Sequence, residues 1–287
     1  LLVIMAVISV GLAIKSGLYP FHYWIPDTYG YATPTGSAVL SGLVSKGYIF
    51  LLIKIFYRVL GYDNLVGTHM VNVLYLFGVC GMIMGSVHAI SETDTRRMIA
   101  YSSVAQIGYI YMGIGLGTTA GMVASVFHIF AHSATKALLF ISAVGLYEVS
   151  GDRKDFVSLR GAAFRNPLAG IGFSIGALSM VGFPMLSGFI SKLLFATSAL
   201  DSPEKMMPTL IVLAVSTLLN AVYFLRLVIT LYSRRRPEDK PLPKQTTVRS
   251  SWALRLAIIC FIGLNLVLGM SSQPIVQAIT DGLAMFD

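Results

Sequence analysis

The stretch VFHIFAHSATKALL, residues 126 to 139, sets two histidines and a lysine inside a segment otherwise apolar enough for a bilayer. His128, His132 and Lys136 are four residues apart each time, so on a helix the three side chains share one stripe. An ionisable group at bilayer depth costs at least about 2.5 kcal/mol on insertion scales, and such groups usually face a bundle interior or a water-filled path. The stripe therefore reads either as part of an ion or proton path, or as histidines bonded to neighbouring helices with Lys136 snorkelling to an interface.

The rest of the chain agrees with a membrane setting. Of 287 residues, 55% are hydrophobic and only 12% charged, and a mean hydropathy of +0.75 excludes an ordinary soluble domain. Several runs exceed the roughly 20 residues that a spanning helix needs, and none alternates with the period of a transmembrane barrel strand. Because lipid offers the backbone no hydrogen bonds, the expected fold is all-α. It is a polytopic bundle of about eight spans, two of them broken, forming one domain over residues 1–287. Leu1 opens inside an apolar run without an initiator Met, a basic leader or a cleavage site, so the run is not read as a signal peptide and a fragment is expected. Cys80 and Cys260 stand alone in apolar runs, which gives neither metal-ligand spacing nor a disulfide framework. No nucleotide loop, haem ligand pair or iron–sulfur cysteine set is present, so no cofactor is expected here.

A formal charge of +8 invites a nucleic-acid reading, but the placement of the charges opposes it. Of 21 Lys and Arg, five fall within spans (Lys15, Lys46, Lys136, Lys192 and Arg226) and sixteen in or beside loops. Thirteen of those sixteen share one side, against Lys54, Arg58 and Lys205 on the other. The positive-inside rule makes the richer side cytoplasmic and puts Asp287 outside.

In chain order, the first span runs from Leu1 to about Trp24. Pro20 should break it just after Lys15, and the continuation PFHYWIPD should carry His22, Tyr23 and Trp24 to an interface. A second span, about Thr35 to Tyr57, holds Lys46 near its middle. A third, about Met70 to Ile90, carries the stripe Gly78, Gly81 and Gly85, suited to close packing. The fourth, Ile99 to Leu116, has Ser103 and Gln106 as interhelical glue, and the fifth, Ala120 to Tyr147, is the opening stretch. A charged connector, read as a solvated loop, leads to Pro167–Leu200, which GFPMLSG interrupts at 182 to 188, with Lys192 one turn beyond. Broken helices with an ionisable residue at the break are a transporter signature. A seventh span, about Met207 to Tyr232, precedes a polar, Pro-rich linker at 233–251, expected to be cytoplasmic. The last span is Trp252–Met270, followed by a tail that reads as a short amphipathic helix.

Four blocks, KSGLYPFHYWIPD (15 to 27), TPTGSAVLSGLVSKGYIFLL (33 to 52), DTRRMIAYSSVAQIGY (94 to 109) and HIFAHSATKALLF (128 to 140), together with GFPMLSGFISK ending at Lys192, carry a resemblance over almost the whole chain. In them the sequence resembles the proton-translocating membrane subunits shared by NADH-quinone oxidoreductase (complex I), Mrp-type sodium/proton antiporters and membrane-bound hydrogenases. The wording of the first two blocks is most similar to the D-type branch of the Mrp antiporter subunits. The resemblance implies the later half of a protein of about fourteen spans, in which Lys15 sits in one broken helix and Lys46 in the next. It places His128, His132 and Lys136 in a connecting element and Lys192 at the terminal position of a second broken helix. It further implies a proton relay through these six residues, other membrane subunits as partners and a multi-pass place in the cell's inner (plasma) membrane. In the family the lysine matching Lys15 pairs with a glutamate on an earlier helix, whereas all thirteen acidic residues here fall in loops, at helix ends or in the tail. A stand-alone solute carrier and a purely structural subunit are the competing readings. The deep groups are all amines or imidazoles, which offer sodium none of the oxygens it prefers, so the cargo expected of this half is the proton.

Overall fold

The computed structural model describes residues 1–237, 239 and 251–285. Among them the secondary structure is helical, apart from an isolated bridge between Asp94 and Asp155. In order, α1 is Leu2–Ser16 and α2 is Trp24–Tyr31. α3 runs over Pro34–Leu60 with π-helical turns at Leu40–Val44 and Phe56–Leu60, and the short α4 is Tyr62–Gly67. Then come α5 (Met70–Ser91), α6 (Thr95–Gly115), α7 (Thr119–Glu148) and the single turn α8 (Ala162–Arg165). They are followed by α9 (Pro167–Val181), α10 (Ser187–Ser198), α11 (Pro203–Tyr232), α12 (Trp252–Met270) and α13 (Gln273–Ala284).

Among the described residues five helices (α3, α5, α7, α11 and α12) are long and apolar enough to cross a membrane. α6 has 21 residues but more polar groups, and it is tolerated because its neighbours bury nearly all of it. The pairs α1–α2 and α9–α10 make the remaining two of eight crossings. At the first break α1 stops four residues before Pro20, because Gly17 takes a left-handed φ of 81° while the amides of Gly17 and Leu18 close back on Ala13. The linker at 233–251 lies largely outside the described residues.

α7 runs through the middle of the bundle. Thr118 caps its first turn by accepting from the Gly121 amide, and its 30 residues are buried on nearly every side. α5 and α6 pack backbone to backbone along the predicted glycine stripe. A Cβ added at Gly78 would lie 2.4 Å from the Met112 nitrogen and one at Gly85 2.5 Å from the Ala105 nitrogen, so only glycine permits the approach.

Three expectations need correction. His22 is not at an interface but fully buried, because the break folds it under α5 and α6. The connector after α7 is not a plain solvated loop. Its Lys154 carbonyl accepts from the Thr95 amide at 3.0 Å, and Arg165 donates to the Val149 and Arg160 carbonyls and to Ser150. Arg226 does not sit at depth, since it is exposed and donates to the Glu92 carbonyl at 2.9 Å, over the Phe156 ring. With Arg97 bridging Asp27 at 2.5 Å and Glu92 at 2.9 Å, these bonds gather the segments after the first, third, fifth and seventh crossings at one end of the bundle. That is the grouping expected from the basic residues.

Candidate functional site

Four of the six ionisable residues singled out from the sequence are buried along the bundle interior: Lys46, His128, His132 and Lys136. Lys192 is half-buried beside them, and Lys15 stands apart. Lys46 follows the π-helical turn at Leu40–Val44, and its Nζ donates to the Ser41 carbonyl within that turn. A π turn shifts carbonyls out of the α-helical register, so one becomes available to a side chain. The same turn is tied across the bundle by Ser41 to Ser103 at 3.0 Å, which gives Ser103 its expected role in packing.

On α7, Lys136 points away from any interface. Its Nζ donates to the Ile99 carbonyl and to Ser102 Oγ, each at 2.5 Å, both from the start of α6. Snorkelling is therefore ruled out as the account of this lysine. His132 and His128 follow one turn apart with rings stacked at 5.7 Å, and His128 Nδ1 lies 2.5 Å from Ser191 Oγ on α10. The Gln106 backbone lies near the His128 ring, whose Nε2 has no hydrogen-bond partner among the described residues. His128 also stacks on Tyr109 at 5.6 Å, and the Lys192 ammonium lies 5.8 Å from the same phenol ring. Lys46, Lys136, His132, His128 and Lys192 thus form a run in which each member is within electrostatic reach of the next.

Lys192 closes the run at the second break. α9 ends where Gly182 adopts a φ of 95°, and Lys192 Nζ donates to the freed carbonyls of Met180 at 3.2 Å and Val181 at 2.6 Å. Backbone exposed by a broken membrane helix must find such partners. A cavity of about 10 Å³, space for about one water, lies between Gln106, His128, His132, Thr135 and Lys192. On the far side of Lys192 a larger open cavity of about 540 Å³ separates α10 from α11.

Residues that the sequence did not single out complete the site. Asn265 of α12 accepts at one oxygen from Thr135 (3.1 Å), Ser179 (2.8 Å) and Ser187 (2.7 Å), so α12 joins α7 to both halves of the broken helix. A lone amide inside the last apolar span was the available signal. Tyr109 and Tyr223 extend the polar seam, the first toward Ser216 and Asn220 and the second toward Ser102 and Ser86. Lys15 is not brought into the run. It is exposed on the outer side of α1, among Val7, Val10 and Ile14, with no partner among the described residues.

A sequence family described as "NADH:quinone oxidoreductase/Mrp antiporter, TM" matches residues 1–220. The chain belongs to this family. Its relatives fall on both branches. Subunit N of NADH-quinone oxidoreductase from Desulforudis audaxviator is 35% identical over 250 residues, covering 84% of this chain and 49% of that protein. The D-type subunit of the Na(+)/H(+) antiporter from Alkalihalophilus pseudofirmus is 30% identical over 275 residues, covering 96% of this chain and 54% of that protein. The chain spans about half the length of the curated relatives it matches. In fold it is similar to a chain of the Mrp complex from Dietzia sp., with a TM-score of 0.86 and 24% identity over 98% of this chain and 59% of that one. The all-α membrane bundle and the family membership expected from the sequence are thereby established.

Proposed function

We propose that this chain is the proton-conducting half of a membrane subunit in a multisubunit cation/proton antiporter or quinone-oxidoreductase-type complex of the bacterial plasma membrane. Protons pass along Lys46, Lys136, His132, His128 and Lys192, with water between neighbours. The observation that carries the reading is the run itself: four buried ionisable groups in line, ending at a lysine on a broken helix, with no carboxylate at that depth among the described residues. A helix bundle needing only structural glue would use hydroxyls and amides, which cost far less to bury than amines. Each amine or imidazole accepts a proton in its neutral form and repels a second charge beside it, so neighbours influence each other's occupancy. The same chemistry disfavours sodium, for which lysine offers no oxygen.

Lys15 serves the same relay from the open side of α1, where a carboxylate from another helix or subunit would face it. Neighbouring membrane subunits cover that apolar side. The deciding experiment is Lys136→Ala in the intact complex. Proton movement is expected to fall below about a tenth of its normal rate, the size of effect usual for a lost proton-transfer group, with unchanged subunit content. Loss of assembly, or transport at the normal rate, would favour a structural role instead.

A further inference from the structure

At the loop-rich end a second group of titratable side chains surrounds His22, away from the run that ends at Lys192. His22 lies between α1 and α2 and is 0% exposed. Tyr19 and Tyr23 of the break stack on it at 5.3 and 4.6 Å, while His88 of α5 and Tyr101 of α6 stand at 6.1 and 6.5 Å. No side chain hydrogen-bonds to either ring nitrogen, and the nearby acceptor is the Pro20 carbonyl. His88 is half-buried and stacks on Tyr101 at 5.2 Å, so it stands between His22 and the surface. Around the mouth lie Asp27 of α2, Glu92 just past α5 and Arg97 of α6, with the Arg97 guanidinium bonded to both carboxylates. Those three, together with Tyr19, Tyr23 and Tyr101, are the charged and titratable groups facing the histidine pair. Lys15 ends α1 on the opposite side of the break.

We propose that His88 and His22 form the site at which protons are taken up from the loop-rich side of the membrane. The inference rests on the proton-translocating reading and adds to it the side and the residues of uptake. Imidazole is the side chain whose ordinary pKa, about 6.5, lets it both gain and lose a proton near neutral pH. A buried imidazole without a side-chain partner keeps its nitrogens free for exchange. At 6.1 Å between ring centroids, one water can bridge His22 and His88. His88 takes a proton from bulk water on one nitrogen. An N–H bond then breaks on His88 as one forms on His22 through the bridging water, and the positive charge moves with it. Two imidazolium rings this close repel, so the pair carries one proton at a time. His22 then gives the proton to a water molecule at the break, an N–H bond breaking as an O–H bond forms, and the pair returns to neutral.

The test uses the intact complex in vesicles, with proton transport measured against pH for His22→Gln, His88→Gln, His88→Ala, the double Gln variant and Lys136→Ala. His22→Gln is expected to slow transport about tenfold near about pH 8 and less near about pH 6, where protons are abundant. The double variant should be no slower than His22→Gln, because both residues act in one step. Added imidazole should restore His88→Ala, whose vacancy is reachable from the surface. An unchanged pH profile in His22→Gln, or an equal loss at every pH without imidazole rescue, would overturn the proposal. Should His22→Gln fail to assemble, His88→Gln and the imidazole rescue decide it by the same criteria. Normal transport by Lys136→Ala would overturn the parent reading and this inference with it, whereas its loss beside an unchanged His22→Gln profile overturns the uptake site alone.

Discussion

The two broken helices use one device with opposite surroundings. Each first half ends on a left-handed glycine, Gly17 or Gly182, whose amide and the next one close back on the preceding turn. Each freed end is then capped by a side chain from beyond the break. At the first, Trp24 Nε1 donates to the Ile14 carbonyl at 3.0 Å; at the second, Lys192 donates to the Met180 and Val181 carbonyls. In the first break the lysine is left over and points outward, whereas in the second it is itself the cap and faces the buried histidines. An indole can only hold the backbone. An amine in the same place can hold it and also exchange a proton, so the second break can couple helix geometry to charge.

The comparison is broken most severely at Gly188. A Cβ there would lie 1.8 Å from the Ser179 carbonyl, which is backbone of the other half-helix and cannot swing away. Gly188→Ala should cost about 3 kcal/mol or more and abolish assembly, read as loss of the subunit from purified complex. Gly17→Ala must hold a φ of 81° and press on the Ile25 side chain, which unlike backbone can shift, so its complex should still assemble with a lowered Tm. Equal outcomes would mean that the two breaks are equally rigid. A smaller effect is expected of Asn265→Leu, which removes the acceptor shared by Thr135, Ser179 and Ser187 and should cost about 2 kcal/mol in the thermal unfolding of the complex. At the first break the Ser16 hydroxyl is held separately by Tyr111 of α6 at 2.9 Å, so Trp24→Phe should cost only about 1 kcal/mol and leave transport intact. Transport lost in Trp24→Phe would show that the first break is also coupled to charge movement.

The smallest effect lies where the linker after α11 meets the connector after α7. Asp239 accepts from the Arg236 amide and from Arg160, which together hold its carboxylate below its ordinary pKa of 3.8. A carboxylate with a lowered pKa adds stability above its unfolded pKa and loses it as pH falls through the folded one. Hydrogen exchange at Arg160 and Gly161 should therefore stay slow down to about pH 4 and rise only below it. Faster exchange near neutral pH would contradict the pairing.

The breaks themselves were legible in the sequence because glycine and proline interrupt an apolar run whatever surrounds it. The stripe on α7 was equally legible, since its four-residue spacing fixes a face. The role of Lys192 as a cap was not, because it depends on where a side chain eleven residues beyond a carbonyl comes to rest. Asn265 escaped notice for a related reason: a single amide in an apolar span has no periodicity, and its three partners come from two distant segments. His22 was misplaced because aromatic and proline neighbours suit an interface as well as they suit a buried turn.

The sequence by itself determined that this chain is a bundle of membrane helices, which end carries the basic loops, and that His128, His132 and Lys136 share one face of a helix. Those properties follow from transfer free energies and helical period, both of which act residue by residue along the chain. Only the tertiary structure decided that Lys46, Lys136, His132, His128 and Lys192 form one run while Lys15 stands outside it. Whether two charges can exchange a proton depends on a few ångströms between different helices. That distance is set by how glycine-lined surfaces and broken ends pack together.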